Sequence, residues 1–127
     1  MKPYFFTIAL LLMQWSVMAK VRLAALFTDG MVLQQQTQVP VWGWADPQAT
    51  VTLQTSWNGQ KYQAKADDLG QWKIQVQTPA AGGAYQIKVA EKNVIELQDI
   101  LIGEVWLCTG QSNMEMPLKG YPGQPIL

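Results

Sequence analysis

Polar and apolar residues alternate along most of the chain between residues 20 and 98. The clearest case runs from Thr50 to Trp57, where Val51, Leu53, Thr55 and Trp57 share one face. Period-two alternation is the pattern of a β-strand with one buried face. It returns in Gln71–Gln77 and in Tyr85–Val89, and no part of this range carries apolar residues at helical spacing. The pattern predicts an all-β domain built as a β-sandwich.

Turn signals separate these strand candidates. Asn58-Gly59 follows Trp57 directly and predicts a two-residue hairpin turn of type I′, in which both central residues have positive φ. Further turns are predicted at Thr28-Asp29-Gly30, Asp46-Pro47 and Asp67–Gly70, and a loop is predicted at Pro79 and Gly82-Gly83. Pro40 lies inside the strand candidate Val39–Ala45 and cannot donate a ladder hydrogen bond. We therefore expect that strand to lie at, or begin near, a sheet edge.

The pattern changes after Asp99. Ile100–Cys108 is apolar on both faces except for Gly103-Glu104, which is typical of a strand covered on both sides in an α/β sheet. The sequence therefore predicts a β-sandwich-like domain over residues 20–99 and the start of an α/β domain over residues 100–127. Cys108 lies in the apolar run and is expected to be a buried, unreactive thiol.

The first 19 residues have the pattern of a signal peptide. Lys2 is a short positive region, Tyr4–Met13 is mostly apolar, and Val17-Met18-Ala19 has the small residues of a cleavage site. The apolar run is short for a membrane anchor, which needs about 20 residues. We expect cleavage before Lys20 and export to the periplasm or the extracellular space, with no membrane attachment afterwards.

Composition excludes several classes of function. The chain has nine acidic and nine basic residues without a basic cluster, so it lacks the electrostatic signature of nucleic-acid binding. It has no histidine and a single cysteine, which rules out an internal disulfide. No metal-ligand spacing or phosphate-binding glycine loop occurs, so neither a metal nor a cofactor is predicted. Nothing in the sequence indicates an oligomeric state.

Six tryptophans stand out in a chain of this length. We expect Trp57 and Trp72 to fill the core, since large aromatic side chains are usually buried. Trp42, Trp44 and Tyr121 are candidates for stacking on sugar rings. They support an alternative function, a secreted β-sandwich that binds glycans without catalysis. A purely structural module is a third possibility.

A serine follows the apolar run after a tight turn. Thr109-Gly110 ends the run, and Ser112 comes two residues later. Nucleophilic serines are often presented in this way. However, Met114 stands where the Gly-x-Ser-x-Gly elbow has its second glycine, and a serine at such a turn is often only a helix cap. The local chemistry leaves both roles open.

The block Gly103–Met114 closely resembles the nucleophile block of the sialate O-acetylesterase family, which are secreted carbohydrate esterases with an SGNH-hydrolase catalytic domain. The blocks Phe27–Gln34, Val39–Ala45 and Gly70–Lys73 are similar to the β-domain of the same family. This resemblance implies that Ser112 is the catalytic nucleophile and that its backbone N–H helps to form the oxyanion hole. It also implies that the substrate is an O-acetylated sugar or glycan.

The same resemblance places the remaining catalytic groups outside these 127 residues. The family takes its histidine and acidic partner from a downstream Asp-x-x-His motif, and this chain contains no histidine. A neutral serine hydroxyl is a weak nucleophile without an adjacent base. We therefore expect the chain to correspond to the N-terminal portion of such an esterase and to be inactive by itself.

Overall fold

The computed structural model describes residues 20–110, which form eight β-strands in two sheets. The strands are β1 (Arg22–Leu23), β2 (Val32–Gln34), β3 (Gln38–Trp44), β4 (Thr50–Thr55), β5 (Lys61–Lys65), β6 (Gln71–Gln77), β7 (Gly82–Ala90) and β8 (Val94–Gly103). One sheet has the order β1-β3-β6 and the other the order β2-β8-β7-β4-β5. Neighbouring strands are antiparallel except β2 and β8, which are parallel. The prediction of a mainly β fold is confirmed.

A single hydrophobic core lies between the two sheets. The three-stranded sheet contributes every second residue of β3 and β6. The five-stranded sheet contributes buried residues from β2, β4, β7 and β8, and partly buried residues of β5 pack against them. The largest fully buried side chains are Leu53, Ile87, Ile100, Val21, Val41, Val51, Val76, Val89 and Thr55. Each aliphatic side chain of this kind stabilises the fold by about 1.5–3 kcal/mol on burial. The inward faces predicted for β4, β6 and β7 are confirmed.

Strand β8 contains a β-bulge at Asp99. Leu97 pairs with Ile87 and Ile100 pairs with Tyr85, so three steps on β8 match two on β7. Asp99 is the extra residue of the bulge, and its φ is 56°. A positive φ is typical of one kind of bulge. The bulge changes which positions face inward, so that both Leu97 and Ile100 are buried. The change of pattern after Asp99 therefore coincides with an irregularity inside one strand.

The predicted turn at Thr28-Asp29-Gly30 packs against this bulge. The carboxylate Oδ1 of Asp29 accepts a hydrogen bond of 2.8 Å from the backbone N–H of Gln98. The N–H of Gly30, whose φ is 74°, donates to the carbonyl of Gln98 at 2.9 Å. The N–H of Leu101 donates to the carbonyl of Met31 at 3.0 Å. Backbone groups beside the bulge thus keep hydrogen-bond partners, as buried main chain requires.

The expectation of a strand from Ile100 to Cys108, covered on both sides, is wrong. Residues 100–103 are the end of β8, whereas residues 104–110 form no strand. Ile100 and Ile102 are buried, but Leu101 between them is 46% exposed. One face of this segment packs on the sandwich core and the other is open. Cys108 is exposed rather than buried, because no described residue packs over the segment that carries it.

The structure tests two predictions about the region from β3 to β5. A hairpin does join β4 to β5, but its turn is longer than two residues: the N–H of Gly59 bonds to the carbonyl of Thr55 at 2.9 Å. Only Gly59 has a positive φ, 67°, so the type I′ assignment is wrong. Pro40 pairs with β6 alone, since β1 contacts β3 only at Gly43 and Trp44. The strand thus has a free edge at the proline, as expected.

Two glycines with similar backbone conformations give a matched test of packing at a turn. Gly70 has a φ of 78°, and an added Cβ would collide with the carbonyl oxygen of Ala45. Gly59 has a φ of 67°, and an added Cβ would meet no atom within 4 Å. We expect Gly59→Ala to lower the free energy of unfolding by about 1 kcal/mol. Gly70→Ala should lower it by about 3 kcal/mol, because strain and overpacking add.

Urea denaturation of the two variants and of the parent chain measures this difference. Equal losses in both variants would show that the contact between residues 70 and 45 has no energetic consequence.

Candidate functional site

Ser112, the predicted nucleophile and oxyanion donor, and Tyr121, a candidate sugar contact, lie outside the described residues. The described chain reaches Gly110 and so includes the segment that leads to Ser112. Two parts of the described structure have features that bear on function. One is the start of this segment at the end of β8, and the other is a groove on the outer face of the three-stranded sheet.

The start of the segment is held by two glutamines from the end of β2. Nε2 of Gln34 donates to one carboxylate oxygen of Glu104 at 2.9 Å, and Nε2 of Gln35 donates to the other at 2.6 Å. Oε1 of Gln34 accepts from the backbone N–H of Val105 at 2.9 Å. Gln34, Gln35 and Glu104 form a set of contacts that we call the glutamine clamp. It fixes the direction in which the chain leaves β8.

The glutamine clamp is tied in turn to the sandwich. The backbone N–H of Gln35 donates to the carbonyl of Gly103 at 2.8 Å, and Oε1 of Gln35 accepts from the N–H of Ala81 at 2.9 Å. The carbonyl of Gln34 accepts from the buried hydroxyl of Thr78 at 2.6 Å. Bonds from three separate strands or loops thus converge on two consecutive glutamines.

The clamp also favours the ionised form of Glu104. The hydrogen bond from Gln34, followed by that from Gln35, lowers the pKa of the Glu104 carboxyl below its usual value. Donors that bond to the ionised form stabilise it in this way. Glu104 is therefore a carboxylate that accepts two amide bonds, and it is a poor proton acceptor at neutral pH.

Beyond the clamp the chain carries an exposed apolar stretch. Val105, Trp106 and Leu107 are 53%, 82% and 91% exposed. Within residues 20–110 no group of three Cys, Asp or Glu side chains is placed to hold a metal ion. The same residues contain no helix with the length and apolar character to cross a membrane.

The groove lies on the face of the three-stranded sheet that points away from the core. Trp42 on β3 is in register with Lys73 on β6, and Trp44 is in register with Gln71. Residues opposite one another in a sheet point to the same side. The groove has a volume of about 480 Å³. It is lined by Trp42, Gly43, Trp44, Lys65, Asp67, Gln71, Trp72 and Lys73.

Aromatic contacts orient the two outer tryptophans. The rings of Phe27 and Trp42 meet edge to face, with centroids 4.8 Å apart and an interplanar angle of 85°. The guanidinium carbon of Arg22 lies 5.8 Å from the centroid of the Trp44 ring, within range of a cation–π contact. Trp42 remains partly exposed and Trp44 is 38% exposed. Both rings thus contact a neighbouring side chain and keep part of their surface open.

The predictions for the other tryptophans are partly confirmed. Trp72 is buried in the core, as expected. Trp57 is only partly buried: it packs against Tyr85 with ring centroids 5.6 Å apart, and its indole N–H donates to the carbonyl of Gln77 at 3.1 Å. It lies in the turn after β4 rather than on the strand, because the hairpin turn begins earlier than the alternation predicted.

Sequence reasoning missed the glutamine clamp and the cations of the groove. Gln34 and Gln35 lie in a polar stretch that reads as a loop, and their partner Glu104 is about seventy positions away in the chain. No local pattern predicts that pairing. The exposed lysines Lys65 and Lys73 alternate with apolar residues as any solvent-facing strand position does, so only the register between strands brings them to the tryptophans.

The chain is similar in sequence to part of several known carbohydrate esterases. It is 30% identical to the sialate O-acetylesterase of Mus musculus over 109 residues, which is 77% of this chain and 20% of that protein. It is 29% identical to the sialate O-acetylesterase of Homo sapiens over 105 residues, 75% of this chain and 20% of that protein. The chain thus spans about a fifth of the length of these curated relatives. No family model matches it.

A solved structure shows the same relationship in three dimensions. The crystal structure of a carbohydrate acetylesterase from Xanthomonas citri matches the fold with a TM-score of 0.70 and 41% sequence identity. The match covers 77% of this chain and 22% of that protein. The resemblance inferred from the sequence blocks is therefore confirmed.

The clamp predicts a change in the pKa of Glu104 when one donor is removed. Gln34→Ala should raise this pKa toward its usual value, because the first of the two stabilising amide bonds is lost. Since the folded-state pKa is lowered, the clamp's contribution to stability should be present at neutral pH and lost as the pH falls through that pKa. NMR titration of the Glu104 side-chain carboxyl measures the shift.

Gln75→Ala removes an exposed glutamine from β6 and is the matched control. It should leave the Glu104 titration unchanged. If the pKa of Glu104 were unchanged in Gln34→Ala, the hydrogen bond from Gln34 would not stabilise the Glu104 carboxylate.

Proposed function

Because this chain is related to the sialate O-acetylesterases along 77% of its length, we propose that it supplies the nucleophile of an exported carbohydrate acetylesterase. The similarity to the Xanthomonas citri carbohydrate acetylesterase, 41% identical with a TM-score of 0.70, is the observation that carries the proposal. The substrate class is an O-acetylated sugar or glycan, and the nucleophile is Ser112.

In the proposed reaction, Oγ of Ser112 attacks the carbonyl carbon of the acetyl ester and its proton passes to a general base. The negative charge that develops on the carbonyl oxygen is stabilised by the backbone N–H of Ser112 and by further donors. Collapse of this intermediate breaks the bond to the sugar oxygen, which takes the proton from the base. Water then attacks the acetyl-serine by the same steps, releasing acetate and regenerating Ser112.

We propose that the general base comes from residues outside this chain. The 127 residues include no histidine, and Glu104, the carboxylate that starts the segment, has a lowered pKa and two amide donors bound. Lowering its pKa reduces its ability to accept a proton. Glu104 is therefore proposed as a positioning residue, and the family resemblance assigns the base to a downstream histidine with an acidic partner. The chain alone is proposed to be inactive.

The described geometry supports this division of roles. β8 is held by β7 and β2 as far as Gly103, and the glutamine clamp continues that support to Val105. A nucleophile needs to be placed within a fraction of an ångström of its productive position. We propose that the sandwich supplies that placement, and that the SGNH-hydrolase-like α/β domain begins as the chain leaves β8. Residues 1–19 are proposed as a signal peptide that is removed on export.

The nucleophile assignment is tested in the protein encoded by the whole reading frame of this gene. Ser112→Ala should lower the hydrolysis of a chromogenic acetyl ester by at least about 10³-fold, because the attacking oxygen is removed. Ser56→Ala, a change in the turn after β4, should keep the rate within about twofold of the parent, since a surface change far from the reacting groups has little effect. Circular dichroism checks that both variants fold.

Turnover that survives Ser112→Ala would assign the nucleophile elsewhere. A second arm uses this 127-residue chain alone, which should show no turnover above buffer. Hydrolysis by the isolated chain that disappears with Ser112→Ala would overturn the assignment of the base to other residues.

A further inference from the structure

Three lines of observation single out the groove around Trp42 and Trp44. It lies on the outer face of the three-stranded sheet, and neither the glutamine clamp nor the segment toward Ser112 contributes to it. Its aromatic rings are held by neighbours while part of their surface stays open. Its charged side chains are mostly cationic. None of these features is explained by the proposed catalytic role.

The aromatic part of the groove has the form of a sugar platform. Sugar rings present faces of C–H groups that pack on indole rings, and such contacts need an aromatic side chain that is both exposed and rigid. Phe27 holds Trp42 from one side, and Arg22 holds Trp44. An indole that is already ordered loses little conformational freedom when a ligand binds.

The charges of the groove favour a negatively charged ligand. Lys65 and Lys73 line it and form no ion pair with another described residue, while the Lys–Glu and Lys–Asp pairs of residues 20–110 involve Lys88 and Lys92. Arg22 adds a third positive charge beside Trp44.

Asp67, the one acidic residue that lines the groove, already accepts hydrogen bonds from the backbone. Oδ1 of Asp67 accepts bonds from the backbone N–H groups of Leu69 and Gln71, each at 2.9 Å. Asp67 therefore closes the turn before β6. Its single negative charge offsets only part of the positive charge of Lys65 and Lys73.

We propose that this groove is a second, non-catalytic binding site for a carboxylate-bearing sugar unit of a glycan. The C–H face of the sugar packs on the groove surface of Trp42 and Trp44, and its carboxylate pairs with Lys73 and Lys65. Gln71, whose side chain lies on the same face as Trp44, offers hydrogen bonds to hydroxyl groups. The site would hold an acidic glycan on the β-domain while chemistry takes place elsewhere.

Matched monosaccharides test the proposal on the intact chain. Methyl β-glucuronide and methyl β-glucoside differ at C6, where a carboxylate replaces a hydroxymethyl group. In ¹H–¹⁵N NMR spectra, the glucuronide should shift the indole N–H signals of Trp42 and Trp44 with millimolar affinity. The signal of Trp106, an exposed indole outside the groove, should not move. The glucoside should bind several-fold more weakly, and acetate alone should cause no shift.

Variants separate the two contributions. Trp44→Ala should weaken glucuronide binding by about tenfold through loss of stacking, with Trp106→Ala as the control that leaves it unchanged. Lys73→Gln should weaken it by about threefold, with Lys61→Gln, an exposed lysine outside the groove, as the control. Raising the salt from roughly 0.05 to 0.5 M should weaken glucuronide binding and leave glucoside binding as it was.

Three results would overturn the proposal. The first is that the glucuronide does not shift the indole N–H signals of Trp42 and Trp44. The second is equal affinity for the two sugars. The third is an equal loss of glucuronide affinity in Trp44→Ala and Trp106→Ala. Because these experiments measure binding by this chain and involve neither Ser112 nor ester hydrolysis, their failure would leave the proposed catalytic function standing. Conversely, a failure of the Ser112→Ala test would leave the proposed binding site standing.

Discussion

The fold depends on strand β8, which buries side chains in the same core before and after the β-bulge at Asp99. β8 lies between β7 and β2 in the five-stranded sheet and buries Leu97 before Asp99 and Ile100 after it. A regular strand cannot do this, because successive side chains alternate between faces. The bulge at Asp99 inserts one extra residue into β8, which puts Leu97 and Ile100 on the same face. Asp29 and Gly30 bond to the backbone of Gln98 beside it, so the irregular strand stays paired.

This arrangement determines where the chain leaves the sandwich. Since β8 remains in the sheet as far as Gly103, the chain leaves the sandwich beside β2, where Gln34 and Gln35 receive it. Two amide donors hold the carboxylate of Glu104, and one amide oxygen holds the N–H of Val105. In the proposed acetylesterase, a rigid β-domain thus sets the origin and direction of the segment that carries Ser112. The groove of Trp42 and Trp44 uses a different sheet and can act independently.

Local patterns in the sequence were enough to predict the β fold, the inward faces of Trp72, Ile74 and Val76, and the turns at Gly30 and Gly70. These features depend on period-two alternation and on residues that tolerate positive φ. Both signals are contained in short stretches of consecutive residues. The change of pattern after Asp99 is also visible in the sequence, but by itself it predicts a strand covered on both sides. A bulge produces the same break in alternation, and only pairing with Ile87 and Tyr85 distinguishes the two. The clamp and the groove arise from contacts between distant strands and have no local signal.

The most direct test of this account is amide hydrogen exchange along the last part of the described chain. If β8 continues through the bulge, the N–H of Leu101, which bonds to the carbonyl of Met31, should exchange as slowly as amides in the centre of β7. The N–H groups of Trp106 and Leu107, which have no bond to another described residue, should exchange at nearly the unprotected rate. If Leu101 exchanged as fast as Trp106, the sandwich would end at Asp99, and the β-domain would not position the segment that leads to Ser112.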